Sequence, residues 1–562
     1  MKLALVAIHP EESARAVPLG PAMLASALKK AFPGEIRVDV LDLYLGDTAG
    51  QCAERILALR PRYVGFSMYL WNRLLVLQIA IIIKRKDPEL IVLAGGPEAT
   101  ADYGRILEEP SLDLVLPGEG EEILVAVMGD LLRGARPREL RDSIRASPVR
   151  DLGALPSPFL DGTLEPSHYR GLLWELSRGC PFRCDFCFES RGAEGIRRIP
   201  LERVKAELLL FEASGVEQVF VLDPTFNYNQ DEAKRVLRLI REHAPDVHFF
   251  FEVRSEFIDE EMATLFASIR CTLQIGLQSV HDAVLRNINR RIDPDAFEDK
   301  VLLLHEAGVT YGFDLIYGLP GDTLDGFYDS LDFALRLVPN HLDLFPLAVL
   351  PGTRLLETAP SFGLKYQEAT PYRVISSPTF GAEDLEKAAT TARSCDLFYN
   401  RGRAVPWFAM VVEALGLSAS ALFGSFAAHL DANPSEDVTS LHRDFLLSAF
   451  ERQGNAVAGT IAADIVTYFG RSAELLESAP GTSEHAADGS VVVLDPRSCR
   501  ASFAHDPVAL LERLDAGFTD LDELALLLPE RPCEAVLSVQ EGLVDLEILS
   551  EQQQVRRHPA PS

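Results

Sequence analysis

Three cysteines, Cys180, Cys184 and Cys187, fall within the run Ser177-Arg178-Gly179-Cys180-Pro181-Phe182-Arg183-Cys184-Asp185-Phe186-Cys187, separated by three residues and then by two. Three thiolates on one tight loop can hold three irons of a cubane cluster and leave the fourth iron without a protein ligand. A cluster ligated by four cysteines carries electrons; one with an open iron can bind a substrate there. The competing chemistry is zinc. A structural zinc site draws its further ligands from a second Cys or His pair at recognisable spacing. No such pair follows, because Cys271, His243 and His248 each stand apart.

The elements around the loop must bring it to one end of a sheet. The apolar run 172–176 reads as a strand that delivers Cys180 to its carboxyl end. Further strands are expected at 219–222, 248–251, 273–277, 311–316 and 342–347, with helices at 201–213, 231–243, 260–268 and 294–307 between them. Six such units make a partial parallel (β/α)6 barrel or a second open sheet, and the cysteine loop after the first strand favours the barrel. Polar residues that interrupt the strands at one end mark the expected site. They are Asp223 and Thr225, Glu252, Gln278 with Ser279, and the turn Gly318-Leu319-Pro320-Gly321. Arg254 could pair with a carboxylate or be a surface charge.

Residues 1–135 alternate in the same way. Continuous apolar runs at 2–8, 63–68, 90–94 and 112–116 and an alternating run at 36–43 are separated by helical patterns at 19–32, 53–59 and 74–86. Buried strands joined by helices imply a doubly wound, Rossmann-like α/β sheet covered on both faces. Ligands in such folds sit beyond the carboxyl ends of the strands, where Gly-rich turns let them approach the backbone.

Taken together, the cysteine loop and the strand-end residues resemble the radical S-adenosylmethionine (SAM) superfamily, and the order of the segments resembles its cobalamin-binding members. The resemblance implies a [4Fe–4S] cluster on Cys180, Cys184 and Cys187. It implies SAM bound at the open iron near Phe186, Asp223, Thr225, Glu252, Gln278, Ser279 and Gly318, with the methionine amino group at Asp223-Pro224-Thr225. The segments Gly65-Phe66-Ser67, Gly95-Gly96-Pro97-Glu98 and Gly118-Glu119-Gly120 are similar to the turns that line cobalamin in that family, with Tyr69 near them. Cobalamin enzymes that place a histidine on cobalt carry Asp-x-His-x-x-Gly. Here His9 stands in Ala7-Ile8-His9-Pro10-Glu11-Glu12, without the Asp or the Gly. It therefore reads as a loop residue, and cobalamin is expected without a protein histidine ligand. Tyr69, Trp71 and Arg73 could shield that face, or Tyr69 and Trp71 could simply pack in the core.

The resemblance implies a methyltransferase that uses methylcobalamin and SAM on a small-molecule or peptide-derived substrate, with flavodoxin or ferredoxin as the external electron donor. Ring closure or rearrangement is the alternative within the family. Methylthiolation would need three further cysteines in the first domain, where only Cys52 is present. A cobalamin or cluster sensor without turnover is the non-enzymatic alternative.

Residues 136–170 lose periodicity and gain Arg and Pro, and the Leu155-Pro156-Ser157-Pro158 stretch is extended because each proline restricts its predecessor. They read as a linker to a barrel at 171–370. Residues 371–550 form a mainly helical third domain, with helix from 384 to about 476, a buried hairpin at 404–430, a polar stretch at 477–490, and short strands near 491–494 and 535–539. Residues 551–562 are expected to be a disordered tail.

The 562-residue chain is 47 % hydrophobic and 24 % charged, with a formal net charge of −29. Such a charge disfavours nucleic acid. No segment reads as a membrane span or a cleaved signal, and eight cysteines with three clustered do not make a disulfide framework. A cytoplasmic location is the expectation.

Overall fold

The computed structural model describes residues 1–189, 195–435, 437–477, 484–485, 491–492, 498–540, 543–549 and 555–559. The chain divides into two compact units, one of residues 1–323 and 346–385, the other of residues 324–345 and 386–562. The helix Leu324–Arg336 falls with the second unit.

The first unit contains two parallel sheets. The first sheet has the strands Lys2–His9, Arg37–Tyr44, Tyr63–Ser67, Ile91–Gly95 and Leu114–Leu116 in the order second, first, third, fourth, fifth. All neighbours are parallel. Both faces are covered: Val64, Val92 and Ile79 lie in one buried cluster, and Leu5, Leu93 and Leu124 in another. Burial on both sides is why these strands read as unbroken apolar runs. The winding reverses between the first and third strands, the point at whose carboxyl ends ligands sit in such sheets. His9 is the last residue of the first strand, which corrects its assignment to a loop; its ring bonds to Asp42 at 2.8 Å, beside it on the neighbouring strand.

The second sheet has the strands Gly171–Trp174, Gln218–Val221, His248–Val253, Cys271–Gln278 and Thr310–Tyr317, each a parallel neighbour of the next. The strand His341–Pro346 runs from the second unit into the first. Sequential strands that are neighbours throughout, with unpaired edges, make a partial barrel. Helices such as Leu201–Ala213 and Gln230–His243 cover its outside, with Leu208, Leu237 and Phe249 fully buried. The expected linker carries a short α-helix at Pro137–Leu140 and 3-10 turns at Leu152–Ala154 and Pro166–His168.

The helix Ala382–Cys395 runs from the first unit into the second, where the helices Phe408–Leu415, Ala419–Ala432, Val438–Arg452 and Ala456–Glu477 precede an antiparallel sheet of Ser498–Phe503, Cys533–Gln540, Leu543–Ile548 and Val555–Pro559. The hairpin expected at 404–430 is a corner: its two helices meet at 91° at the left-handed Gly416. Part of the expected disordered tail is a strand, since Val555–Pro559 takes up the free backbone groups along Leu543–Ile548. The rest of that tail, and most of the polar stretch at 477–490, lie outside the described residues, as do residues 493–494 of the strand expected near 491–494. Among the described residues no single helix is long and apolar enough to cross a membrane.

Candidate functional site

The three cysteines sit beyond the strand Gly171–Trp174, on a loop opened and closed by a two-stranded ribbon, Ser177–Arg178 against Arg197–Arg198. Neighbouring segments hold the loop from several sides. The Asp185 amide donates to the Ile288 carbonyl at 3.0 Å, the Leu355 amide to the Asp185 carbonyl at 2.8 Å, and Asn289 Nδ2 to the Arg183 carbonyl at 2.7 Å. Phe182 lies under the Arg254 guanidinium at 3.7 Å and edge-on to Tyr228 at 5.8 Å. Arg254 therefore clamps the loop through a cation–π contact, with Glu256 as its ionic partner at 2.6 Å.

All three thiols are partly accessible. Burial pushes the Cys187 thiol up to about 11, so ligation there requires a strongly charged metal centre to displace the proton. Among the described residues no three Cys, His, Asp or Glu side chains gather closely enough to hold one metal ion. Zinc requires that convergence, with sulfurs about 2.3 Å from one centre. A cubane instead spreads its ligands over separate irons, and three thiols on one loop fit that donor set.

Two buried side chains beside the loop each keep one unpartnered polar atom. Gln278 ends the strand Cys271–Gln278 in the left-handed region, at φ 68°, and its Oε1 is buried without a hydrogen bond. Arg290 donates Nη2 to the Gly276 carbonyl and places Nη1 3.9 Å from Cys184 Sγ, while its Nε is buried and unpartnered. Burial, and next to it the Arg254 charge, disfavours its protonated form. A guanidinium held this way provides a site for an anionic group. An amino-acid carboxylate meets that need, so the residues present fit SAM. Reading the sequence did not single out Arg290; the buried apolar residues around it, Leu285 and Ile288, mark a short helix end, and only the fold turns that end toward Cys184.

Asp223 is bound by the backbone that enters the cysteine loop. Its Oδ1 accepts the Leu176 and Ser177 amides at 2.8 and 3.0 Å, and its Oδ2 accepts the Ser177 hydroxyl at 2.5 Å. The carboxyl is occupied by the backbone that enters the cysteine loop, and burial pushes it up to about 6. Thr225 Oγ1 lies 3.8 Å from Cys180 Sγ and donates to the Pro224 carbonyl. Glu252 is exposed on the sheet face that also carries Phe220 stacked on Phe250 at 4.4 Å. Ser279 is buried just after that strand, and its hydroxyl accepts the His281 amide at 3.2 Å. Phe186 packs against the Leu319 and Leu347 cluster, and Gly318, at φ 82°, forms the turn where Leu385 would meet any added Cβ at 2.9 Å.

The first sheet presents its own edge. Gly65 and Ser67 lie on the third strand, Gly95 ends the fourth, and Gly96, Pro97 and Glu98 open a short helix. Gly96 adopts φ 98°, where a Cβ would stand 2.8 Å from the Met68 carbonyl oxygen. Its own backbone thus requires glycine there before any ligand does. Gly118, Glu119 and Gly120 lead into the helix Gly120–Leu132. Tyr69 and Trp71 stack at 4.4 Å with planes 9° apart, above the point where the winding reverses, and Trp71 Nε1 donates to the Ile8 carbonyl. Trp71 remains 49 % exposed. A flat ring pair, half-buried at Tyr69 and exposed at Trp71, fits a broad, flat ligand such as a corrin. Arg73 does not face it; its Nη1 bonds Glu98, Asp102 and the Tyr372 hydroxyl at 2.6–2.7 Å.

Comparisons with known proteins agree with this order of sites. The B12-binding domain model matches residues 13–128 and the radical SAM superfamily model residues 174–334. The chain is 27 % identical over 340 residues to the cobalamin-dependent radical SAM methyltransferase TokK of Streptomyces tokunonensis, covering 54 % of this chain and 50 % of TokK. It thus spans only about half of that relative's length. It is 29 % identical over 390 residues to an uncharacterised methyltransferase of Pyrococcus horikoshii, covering 64 % of this chain and 83 % of that one. Among solved structures, the cobalamin-dependent SAM radical enzyme OxsB superposes with a TM-score of 0.58 at 16 % identity, over 92 % of this chain and 84 % of that one. The radical SAM methyltransferase TsrM of Kitasatospora setae, with cobalamin and a [4Fe–4S] cluster bound, gives 0.54 at 20 % identity over 66 % and 78 %. Residues 13–128 thus resemble a B12-binding domain and residues 174–334 a radical SAM domain, in that order along the chain.

Proposed function

We propose that the chain is a cobalamin-dependent methyltransferase acting on a small-molecule or peptide-derived substrate, with an external flavodoxin or ferredoxin as electron donor. The observation that carries this reading is the loop of three thiols with the unpartnered Gln278 Oε1 and Arg290 Nε beside it, in the same compact unit as the Tyr69–Trp71 stack. The methyl-transfer element draws support from the relatives named as methyltransferases. When bound, the cluster supplies one electron to SAM and cobalamin supplies a carrier for the methyl group.

The chain's own residues bind and orient. Cys180, Cys184 and Cys187 would hold the iron. Arg290 and Gln278 would hold the carboxylate end of SAM, and Asp223 fixes the backbone that enters the loop. Tyr69 and Trp71 would cover one corrin face. The barrel face that carries Phe220, Phe250 and the exposed Glu252 combines aromatic surface with a carboxylate. The stacked aromatic pair supports a substrate with an apolar body. Residues 1–135 would be the cobalamin-binding domain, 136–170 its connection, 171–370 the radical SAM domain and 371–550 an accessory domain.

The test is anaerobic reconstitution with iron, sulfide and cobalamin, followed by reduction with methyl-labelled SAM and candidate substrates. S-adenosylhomocysteine together with labelled product supports methyl transfer. 5′-Deoxyadenosine alone would favour rearrangement or ring closure. Neither compound, from fully loaded protein across the substrate panel, would overturn the enzymatic reading.

A further inference from the structure

The cobalamin turn and the cysteine loop are joined by a buried charge network. Arg178 and Arg197 stand directly opposite each other in the ribbon that opens and closes the loop. Like charges at opposed positions repel, so the pairing requires compensation, and the first domain provides it. Glu119 accepts from Arg197 through both oxygens, at 2.5 and 2.8 Å, and from Arg178 at 3.2 Å. Glu121 accepts from Arg178 at 2.5 and 3.2 Å, and Glu175 from Arg178 Nε at 2.9 Å. The Val149 amide also donates to Glu119 at 2.8 Å. The two arginines are only 12 % and 14 % exposed. Glu119 and Glu121 flank Gly120 in the very turn read as a cobalamin contact, and Arg178 lies two residues before Cys180.

A shift of this turn therefore pulls on buried charges that anchor the cysteine loop. We propose that Arg178 and Arg197 are positioning residues that couple the two cofactor sites, so that cluster and cobalamin bind with positive cooperativity. The inference rests on the functional reading above, in which Gly118-Glu119-Gly120 lines cobalamin and the three cysteines hold the cluster. A coupling between sites is reciprocal, so each group would strengthen the other by the same factor.

A second link offers an internal control. Glu98, in the other cobalamin turn, is held by Arg73 and by the Tyr372 hydroxyl at 2.5 Å. It ties the first domain to the segment around residue 372 without touching the cysteine ribbon.

The test measures hydroxocobalamin affinity by equilibrium dialysis on the full chain, with the cluster reconstituted and with it removed, iron being counted in each sample. The native chain should bind cobalamin about fivefold or more tightly when the cluster is present. Arg178→Met should bring that ratio to within about twofold of one. Arg178→Lys should retain part of it, because a point charge replaces a forked contact. Glu121→Gln, a milder change that keeps the side-chain shape, should give an intermediate ratio if Arg178→Met does not fold. Tyr372→Phe should weaken cobalamin binding equally in both states and leave the ratio unchanged. A native ratio of one with both groups bound overturns the coupling alone, as does an unchanged ratio in Glu121→Gln. A chain that binds no cobalamin in either state overturns both the coupling and the functional reading beneath it.

Discussion

The two parallel sheets of the first unit meet the same requirement in different ways. Each offers a ligand the carboxyl ends of its strands. At the first sheet the acidic side chains nearest the edge, Glu98 and Glu119, are both taken up by arginines. What remains for a ligand is backbone at Gly-rich turns and an aromatic stack. At the second sheet one acid, Asp223, is equally occupied, but Gln278 and Arg290 keep unpartnered polar atoms against the cysteine loop. A broad, flat cofactor needs surface and shape, whereas the zwitterionic amino-acid end of SAM needs directed hydrogen bonds. Buried polar groups without partners are rare because each costs about 1–3 kcal/mol, so Gln278 Oε1 and Arg290 Nε mark the second edge as one that can direct hydrogen bonds to a ligand.

The comparison breaks most sharply at the cysteines. Replacing Cys180, Cys184 and Cys187 together with Ala should reduce iron and sulfide after reconstitution to background while cobalamin is still bound; joint loss of both, with an unchanged melting temperature, would contradict separate edges. Next comes Arg290→Met. Loss of a charge-assisted contact corresponds to about 1.5–3 kcal/mol, or roughly 10- to 100-fold weaker SAM binding by equilibrium dialysis. Asp223→Asn should change SAM affinity by less than about threefold, since the carboxyl serves Leu176 and Ser177; a loss as large as that of Arg290→Met would restore Asp223 as a direct ligand.

Asp223 also carries a pH signature. Its carboxyl titrates near 6 in the folded chain, against the usual 3.8, because it is buried. A raised value means that the folded state binds the proton more tightly. The stabilising contribution is complete below 3.8 and is lost as pH rises through about 6. Thermal melts of Asp223→Asn between those limits should therefore lack the part of the native chain's decline that this group causes. A decline of equal slope in both proteins would show that the carboxyl is not the titrating group.

Smaller effects remain at the first sheet. Trp71→Ala should weaken cobalamin binding yet cost at most about 1.5 kcal/mol of stability, because Trp71 itself is exposed. His9→Ala removes one bond to Asp42 and should cost about 0.5–1.5 kcal/mol in denaturant melts, without altering cobalamin affinity.

The parallel sheets were legible because their strands are buried on both faces. Residues 2–8 and 90–94 read as strands of nearly the observed extent for that reason. The cysteine loop was legible because its ligands are local in sequence. The roles of Glu98, Glu119 and Asp223 were not, since a carboxylate at a strand end reads the same whether it faces a ligand or a distant arginine. Glu119 meets its partner Arg197 across 78 residues and Tyr372 meets Glu98 across 274, separations that carry no periodic signal. The right-angle corner at Gly416 and the strand at 555–559 were missed for a related reason: one depends on packing within the second unit, the other on an edge left open elsewhere in the chain.

By itself, then, the order of residues determined the two α/β architectures and the spacing of three sulfurs, because burial pattern and a short loop are properties of neighbouring positions. Tertiary structure alone decided which polar groups at the strand ends are already satisfied. It turned Arg290 toward Cys184 and Glu119 toward Arg178. Electrostatic pairing depends on distance in space, and that distance exists only once the chain has folded.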